Sequence, residues 1–223
     1  MDNQNLPAVE KKENKIMTMS GEVSLTPDIV KKFLVTGEGK VTEQEITMFI
    51  GMCKANKLNP FNKDAYLIKY GAQPATMIVS KDVFFKRAID NPMYNGMESG
   101  LCIESDGKII NRPGHVYMKD KEKILGAWCK VHRKDWEFPI YQEVNFEEYA
   151  GKTKTGELNG NWKTKPAVMI TKVAEATALR KAFTDTTQGM YIAEEYESQP
   201  KIVYEKTEVK EYDFLGGNDD GKI

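Results

Sequence analysis

The residues best placed to do chemistry are cations in one segment. From Lys152 to Lys181 there are seven basic side chains (Lys152, Lys154, Lys163, Lys165, Lys172, Arg180 and Lys181) against Glu157 and Glu175. A polyanionic single strand needs cations along its backbone and flat side chains against its bases. Trp162, in the same segment, offers a flat side chain. It either stacks on a base or caps the following helix against the core. The bland reading of the lysines is a solvated helix face. A second basic cluster is Lys81, Lys86 and Arg87, which also reads as ordinary surface.

Other chemistries find little support. A phosphate-cradling loop needs Gly-x-x-x-x-Gly-Lys-Ser/Thr, and Gly37-Glu38-Gly39-Lys40 is too short. The two histidines, His115 and His132, lie at no zinc-ligand spacing. Cys129 and His132 are three apart, which in a strand puts them on opposite faces and argues against a dyad. The acids Glu143, Glu147 and Glu148 are the one trace of a metal-dependent nuclease. No catalytic residue and no metal ligand is therefore expected.

The totals conceal the segregation. There are 32 basic and 33 acidic residues, for a net charge of -1. A basic patch before residue 182 is balanced by an acidic tail beyond Tyr191. Cys53, Cys102 and Cys129 are few and far apart, as free thiols in a reducing compartment would be. No signal peptide and no membrane-crossing segment is visible, so a cytoplasmic protein is expected.

The elements that position these residues follow from periodicity. Thr42 and Glu45 have capping-box spacing, and Ile46, Phe49, Ile50 and Cys53 form one apolar stripe, predicting a helix over 42–57. Asn59-Pro60 ends it. Residues 65–70 and 75–80 read as a strand pair and 81–89 as a short helix. Strands are predicted over 97–104, 116–119, 123–132 and 137–144, with turns at Asp106-Gly107, Pro113-Gly114 and Lys134-Asp135. Tyr66, Tyr70, Phe84 and Phe85 are expected in the core. Residues 151–165 read as a loop, and Pro166 opens a helix to Phe183. If Lys165 is aligned with that helix it points nearly the same way as Lys172; Arg180 lies about 80° from Lys172, and Lys181 lies on the far side. Arg180 could hold phosphate with a two-pronged bond that lysine cannot make.

Three stretches, in this order, resemble the RecT/Redβ family of phage single-strand annealing proteins. They are Cys53-Lys54-Ala55-Asn56-Lys57-Leu58-Asn59-Pro60-Phe61-Asn62-Lys63-Asp64-Ala65-Tyr66, then Val79-Ser80-Lys81-Asp82 with Phe84-Phe85-Lys86-Arg87-Ala88-Ile89, then Trp162-Lys163-Thr164-Lys165-Pro166 with Leu179-Arg180-Lys181-Ala182-Phe183. Gly189-Met190-Tyr191 to Glu195 continues the last. The likeness is to the branch found in phages and prophages of Gram-positive bacteria, and it covers roughly residues 35–196.

The resemblance implies an α+β fold: a compact core of a β-hairpin and a small antiparallel sheet packed with helices, one long helix lining a DNA groove. It implies a homo-oligomer, ring or helical filament, that holds a first DNA strand extended and pairs it with its complement without hydrolysing a nucleotide. No cofactor is required, magnesium being at most stimulatory. A phage exonuclease is the implied partner, with the host single-strand-binding protein as a further one. Arg180 matches a family basic position, Trp162 and Pro166 match the motif before it, Lys172 sits one place from another basic position, and Lys81 falls where a residue faces DNA. The expected organisation is an N-terminal arm over 1–34 with room for a short amphipathic helix over 26–33, an annealing core over 35–196 and a disordered acidic tail over 197–223. The rivals are a nuclease and a protein that coats single strands without pairing them.

Overall fold

The computed structural model describes residues 15–153 and 155–197. The residue 1–14 part of the expected arm, Lys154, and all of the expected tail after Glu197 lie outside the described residues.

Local signals build the first half. Strands β1 (Lys15–Thr18) and β2 (Gly21–Ser24) form a hairpin. Helix α1 (Pro27–Ile29) runs on into a wider turn over Val30–Leu34, and β3 (Val35–Thr36) follows. Helix α2 (Glu43–Ala55) starts at a complete capping box: Glu45 N–H donates to Thr42 Oγ1 at 3.2 Å and Thr42 N–H to Glu45 Oε2 at 2.8 Å. Its buried face is Ile46, Phe49 and Cys53, so the predicted stripe is the one that packs. A 3-10 turn at Pro60–Asn62 leads to β4 (Ala65–Ile68) and β5 (Thr76–Val79), and β3 joins them in the order β3-β4-β5. Helix α3 (Lys81–Asp90) starts at a Ser80 cap.

The second half is a four-stranded antiparallel sheet in the order β7-β6-β8-β9, with β6 Tyr94–Ser105, β7 Lys108–Pro113, β8 Glu122–Arg133 and β9 Ile140–Asn145. Along β8 the alternation sends Ala127, Cys129 and Val131 into the core. Short helices α4 (Phe146–Tyr149) and α5 (Gly160–Thr164) lead into α6 (Pro166–Ala182), and α7 (Thr184–Thr187) and α8 (Ala193–Glu197) follow. Helix α6 packs under β8 and β9 and against α3. The α+β class is the expected one.

Two expectations need correction, the strand expected over 116–119 and the core placement of Tyr70 and Phe85. Packing begins before residue 35: Ile16, Leu25 and Val30 are fully or almost fully buried, because the β1–β2 hairpin lays its apolar side on the core. Residues 116–119 are a loop rather than a strand, pinned by Glu122, which accepts Met118 N–H at 2.6 Å and both arms of Arg112 at 2.6 and 2.8 Å. The strand in that region is β7, paired to β6 through the Asp106-Gly107 turn, both residues at positive φ. Tyr70 and Phe85 are exposed rather than core. Helix α6 is buried at twelve of its residues and is the central pillar of the fold.

Glu45 does more than cap α2. Its Oε1 accepts Lys69 Nζ at 2.6 Å and Ala75 N–H at 2.7 Å, tying the helix start to the β4–β5 hairpin. Burial works against its charge, but the Lys69 ammonium and the Thr42 and Ala75 N–H groups more than offset that and hold the carboxyl down at about 2, from 4.5. A carboxyl lowered on folding stabilises the native state fully above its unfolded value and loses that stabilisation as pH falls through the folded value. Thermal midpoints of the native chain and Glu45→Gln should therefore differ most above pH about 5 and converge as pH drops toward about 2. A gap that stays constant over that range would contradict the assignment.

Candidate nucleic-acid interface

Helix α6 owes its central position to small residues. Ala167, Ala174, Ala176, Ala178 and Ala182 are buried and let its neighbours approach. Thr171 and Thr177 send their hydroxyls back to Ala167 O at 2.9 Å and Val173 O at 2.7 Å, so they add no unpaired polar group to the core. What breaks the apolar surface is a row of charged residues, Lys172, Glu175 and Arg180, and each holds a partner from another element.

Glu175 is 9% exposed at its side chain. It accepts Lys81 Nζ at 2.7 Å on Oε2 and Ser99 Oγ–H at 2.8 Å on Oε1. Lys81 opens α3 directly after the Ser80 cap, and Ser99 lies on β6, so the carboxylate joins three elements. Lys172 reaches Glu194 at 3.5 Å, a loose contact, and is 39% exposed. Arg180 grips both oxygens of Glu195, donates to Met190 O at 3.2 Å, and lays its guanidinium over the Tyr191 ring at 4.8 Å. The strap over 190–197 is fixed from the other side as well, since Val79 N–H donates to Tyr191 O at 2.9 Å. Lys172–Glu194 and Arg180–Glu195 thus form a polar ladder between α6 and the strap, and Lys81–Glu175 ties α6 to the start of α3.

The remaining predicted residues divide by environment. Trp162 is fully buried and meets Phe146 edge-on at 5.6 Å between centroids, so of its two readings the structure takes the core one. Lys86 pairs with Asp64 at 3.1 Å. Arg87 is not a surface cation: it donates to the carbonyls of Thr186 and Asn56, and burial pulls its pKa down. It lines a cleft of about 520 Å³ with Met19, Lys57, Asp90 and Asp185. Lys165 is exposed at the α5–α6 junction. Lys163 and Lys152 make surface pairs with Glu157 at 3.4 Å and Glu147 at 3.0 Å, and such pairs are worth about 0–1 kcal/mol. Lys181 points away from the ladder, to Gln142 on β9. The basic segment thus divides as the sequence reading had it: Lys172 and Arg180 lie on α6, each with an acid partner from α8, and Lys152, Lys163 and Lys165 stand before the helix.

The acids of the nuclease reading do not converge. Glu143 accepts the Cys102 thiol at 3.0 Å and Tyr141 Oη–H at 3.2 Å, whereas Glu147 pairs with Lys152. Among the described residues no group of three or more His, Cys, Asp or Glu side chains could hold a metal ion, and no helix is long and apolar enough to cross a membrane.

The family model of the RecT family matches residues 23–210. The chain belongs to the RecT family. No curated protein matches it. The matched span starts within β2, ahead of the boundary expected at residue 35, in accord with the burial of Leu25 and Val30. Membership supports a role in single-strand annealing during phage recombination. Within this RecT-family chain, residues missed by sequence reasoning are Ser99, Glu194, Glu195, Tyr191 and Tyr196. The stretch from Tyr191 to Glu195 left a signal, as the continuation of the third resembling motif, but without a role for its side chains, and composition alone read the two acids as the start of a tail.

Proposed function

We propose that the chain binds single-stranded DNA and anneals it to its complement without nucleotide hydrolysis, working as a homo-oligomer in the cytoplasm of a bacterial host. The observation that carries this reading is the RecT-family match over residues 23–210. The charge arrangement supports it. Lys81, Lys172 and Lys165 supply the phosphate track, extended by Lys163 and Lys152. Lys172 is 39% exposed and its contact with Glu194 is long, at 3.5 Å, so its ammonium can turn toward a phosphate oxygen from the solvent side. Arg180 shapes the track from within, through Glu195 and Met190. A phage exonuclease that makes single-stranded ends is the partner proposed, the host single-strand-binding protein a second, and no cofactor is required.

The test is the pairing rate of two complementary dye-labelled strands with protein present, ATP absent and EDTA added. Pairing far above the spontaneous rate is expected. Tight binding to one strand with no acceleration would overturn annealing in favour of passive coating. Affinity for one strand should fall steeply with salt, because each neutralised phosphate releases counterion. Lys172→Gln should weaken binding uniformly across sequences and flatten the logarithmic salt slope by about 1. An unchanged slope would remove Lys172 from the track.

A further inference from the structure

Annealing chemistry needs flat side chains beside the cations, and the aromatic residue of the basic segment, Trp162, is sealed in the core. The ladder supplies another. Tyr191 keeps 39% of its surface open although it is held on several sides. The Arg180 guanidinium covers its ring at 4.8 Å, and Tyr196 meets it edge-on at 5.8 Å. The Tyr191 carbonyl is pinned by Val79 N–H at 2.9 Å, two residues before Lys81. Glu194 and Glu195, three and four residues on, hold Lys172 and Arg180. A partly exposed ring, fixed on the strap that holds Lys172 and anchored to Val79 two residues before Lys81, combines the flat side chain and the cations that binding a single strand calls on. Fixing the ring in advance also lowers the ordering cost of stacking on it.

We infer that Tyr191 is the base-stacking platform of the interface, with Tyr196 supporting its edge and Arg180 backing its ring. This inference rests on the proposed single-strand binding and assigns the base-contacting side chain within it. Arg180 then acts as a positioning residue, through Tyr191 and Glu195, and the phosphates fall to Lys172 and Lys81. Any of the four bases can occupy the platform, since each has a π face, so the preference is for the presence of a base and not for its identity.

The experiment compares binding of a thymidine oligonucleotide and an abasic strand of the same length by the native chain, Tyr191→Leu, Tyr191→Phe and Lys172→Gln. The native chain should prefer the base-bearing strand. Tyr191→Leu should reduce that preference about ten-fold, the order expected of one base–aromatic stack, and leave abasic binding unchanged. Tyr191→Phe should retain the preference, since the ring is kept. Lys172→Gln should weaken both strands alike. A preference in Tyr191→Leu equal to that of the native chain would overturn the platform while leaving the phosphate track intact. Loss of the salt dependence in the native chain would instead overturn the track. Should Tyr191→Leu fail to fold, 2-aminopurine in the bound strand reads the same contact: quenching is expected with the native chain and with Tyr191→Phe, and its absence from the native chain would sink the assignment.

Discussion

Trp162→Ala is expected to lower stability by about 3–5 kcal/mol, the usual cost of emptying a buried indole site. Trp162 sits in α5 with no exposed surface, edge-on to Phe146 at 5.6 Å, where α4 and α5 both meet α6. The surrounding helices are tied into the sheet and cannot collapse freely into the space, so the cavity term adds to the lost burial. Trp162→Phe keeps the edge contact and most of the volume, and should cost distinctly less. Chemical denaturation followed by circular dichroism measures both. The alternative role makes the opposite prediction: a base-stacking Trp162 would give an alanine variant of native stability with weakened strand binding. A native denaturation midpoint in Trp162→Ala would therefore return the residue to the DNA surface.

That choice between readings marks how far the sequence could be read. Signals confined to a few neighbours were legible. The Thr42–Glu45 box, the stripe of Ile46, Phe49 and Cys53, and Pro166 at a helix start all appear where spacing put them. The Asp106-Gly107 dipeptide marks a tight hairpin, and a hairpin turn demands a strand on both sides. Following that logic would have found β7. What spacing cannot carry is the partner of a charge. Lys81 and Glu175 lie 94 residues apart and Lys86 and Asp64 lie 22 apart, so nothing near either lysine announces the buried acid that it pairs with. The same limit governs α6. A helix buried nearly all round shows no single apolar face, and its small residues read equally well as close packing on one side or as a groove wall. Burial of Ile16 and Leu25 was hidden for a related reason: a four-residue strand carries too little periodicity to stand out from a polar arm.

Arg180→Ala is expected to cost about 3–5 kcal/mol, because it strips a buried carboxylate of its guanidinium counter-charge. The Glu195 side chain is 8% exposed, and that of Arg180 is 20% exposed. Glu195 Oε2 also accepts Ile192 N–H at 3.0 Å, so the acid cannot swing out to water without unravelling the turn into α8. The cheapest response for the variant is to release the strap locally, since α8 is one short turn that packs on α4 and α6. Hydrogen exchange over 190–197 should then rise by orders of magnitude while the β6–β8 core stays protected. Arg180→Lys should recover part of the protection, limited by its single-point charge. Converting the pair to Arg180→Met with Glu195→Leu should recover more, since no charge is left buried. Strand affinity follows the strap in this account: Arg180→Ala weakens binding through displacement of Tyr191, and the Met–Leu double variant regains part of it although it carries no cation at 180. If the double variant restores protection but binds as poorly as Arg180→Ala, the guanidinium touches DNA itself, and the role read from the sequence is the correct one.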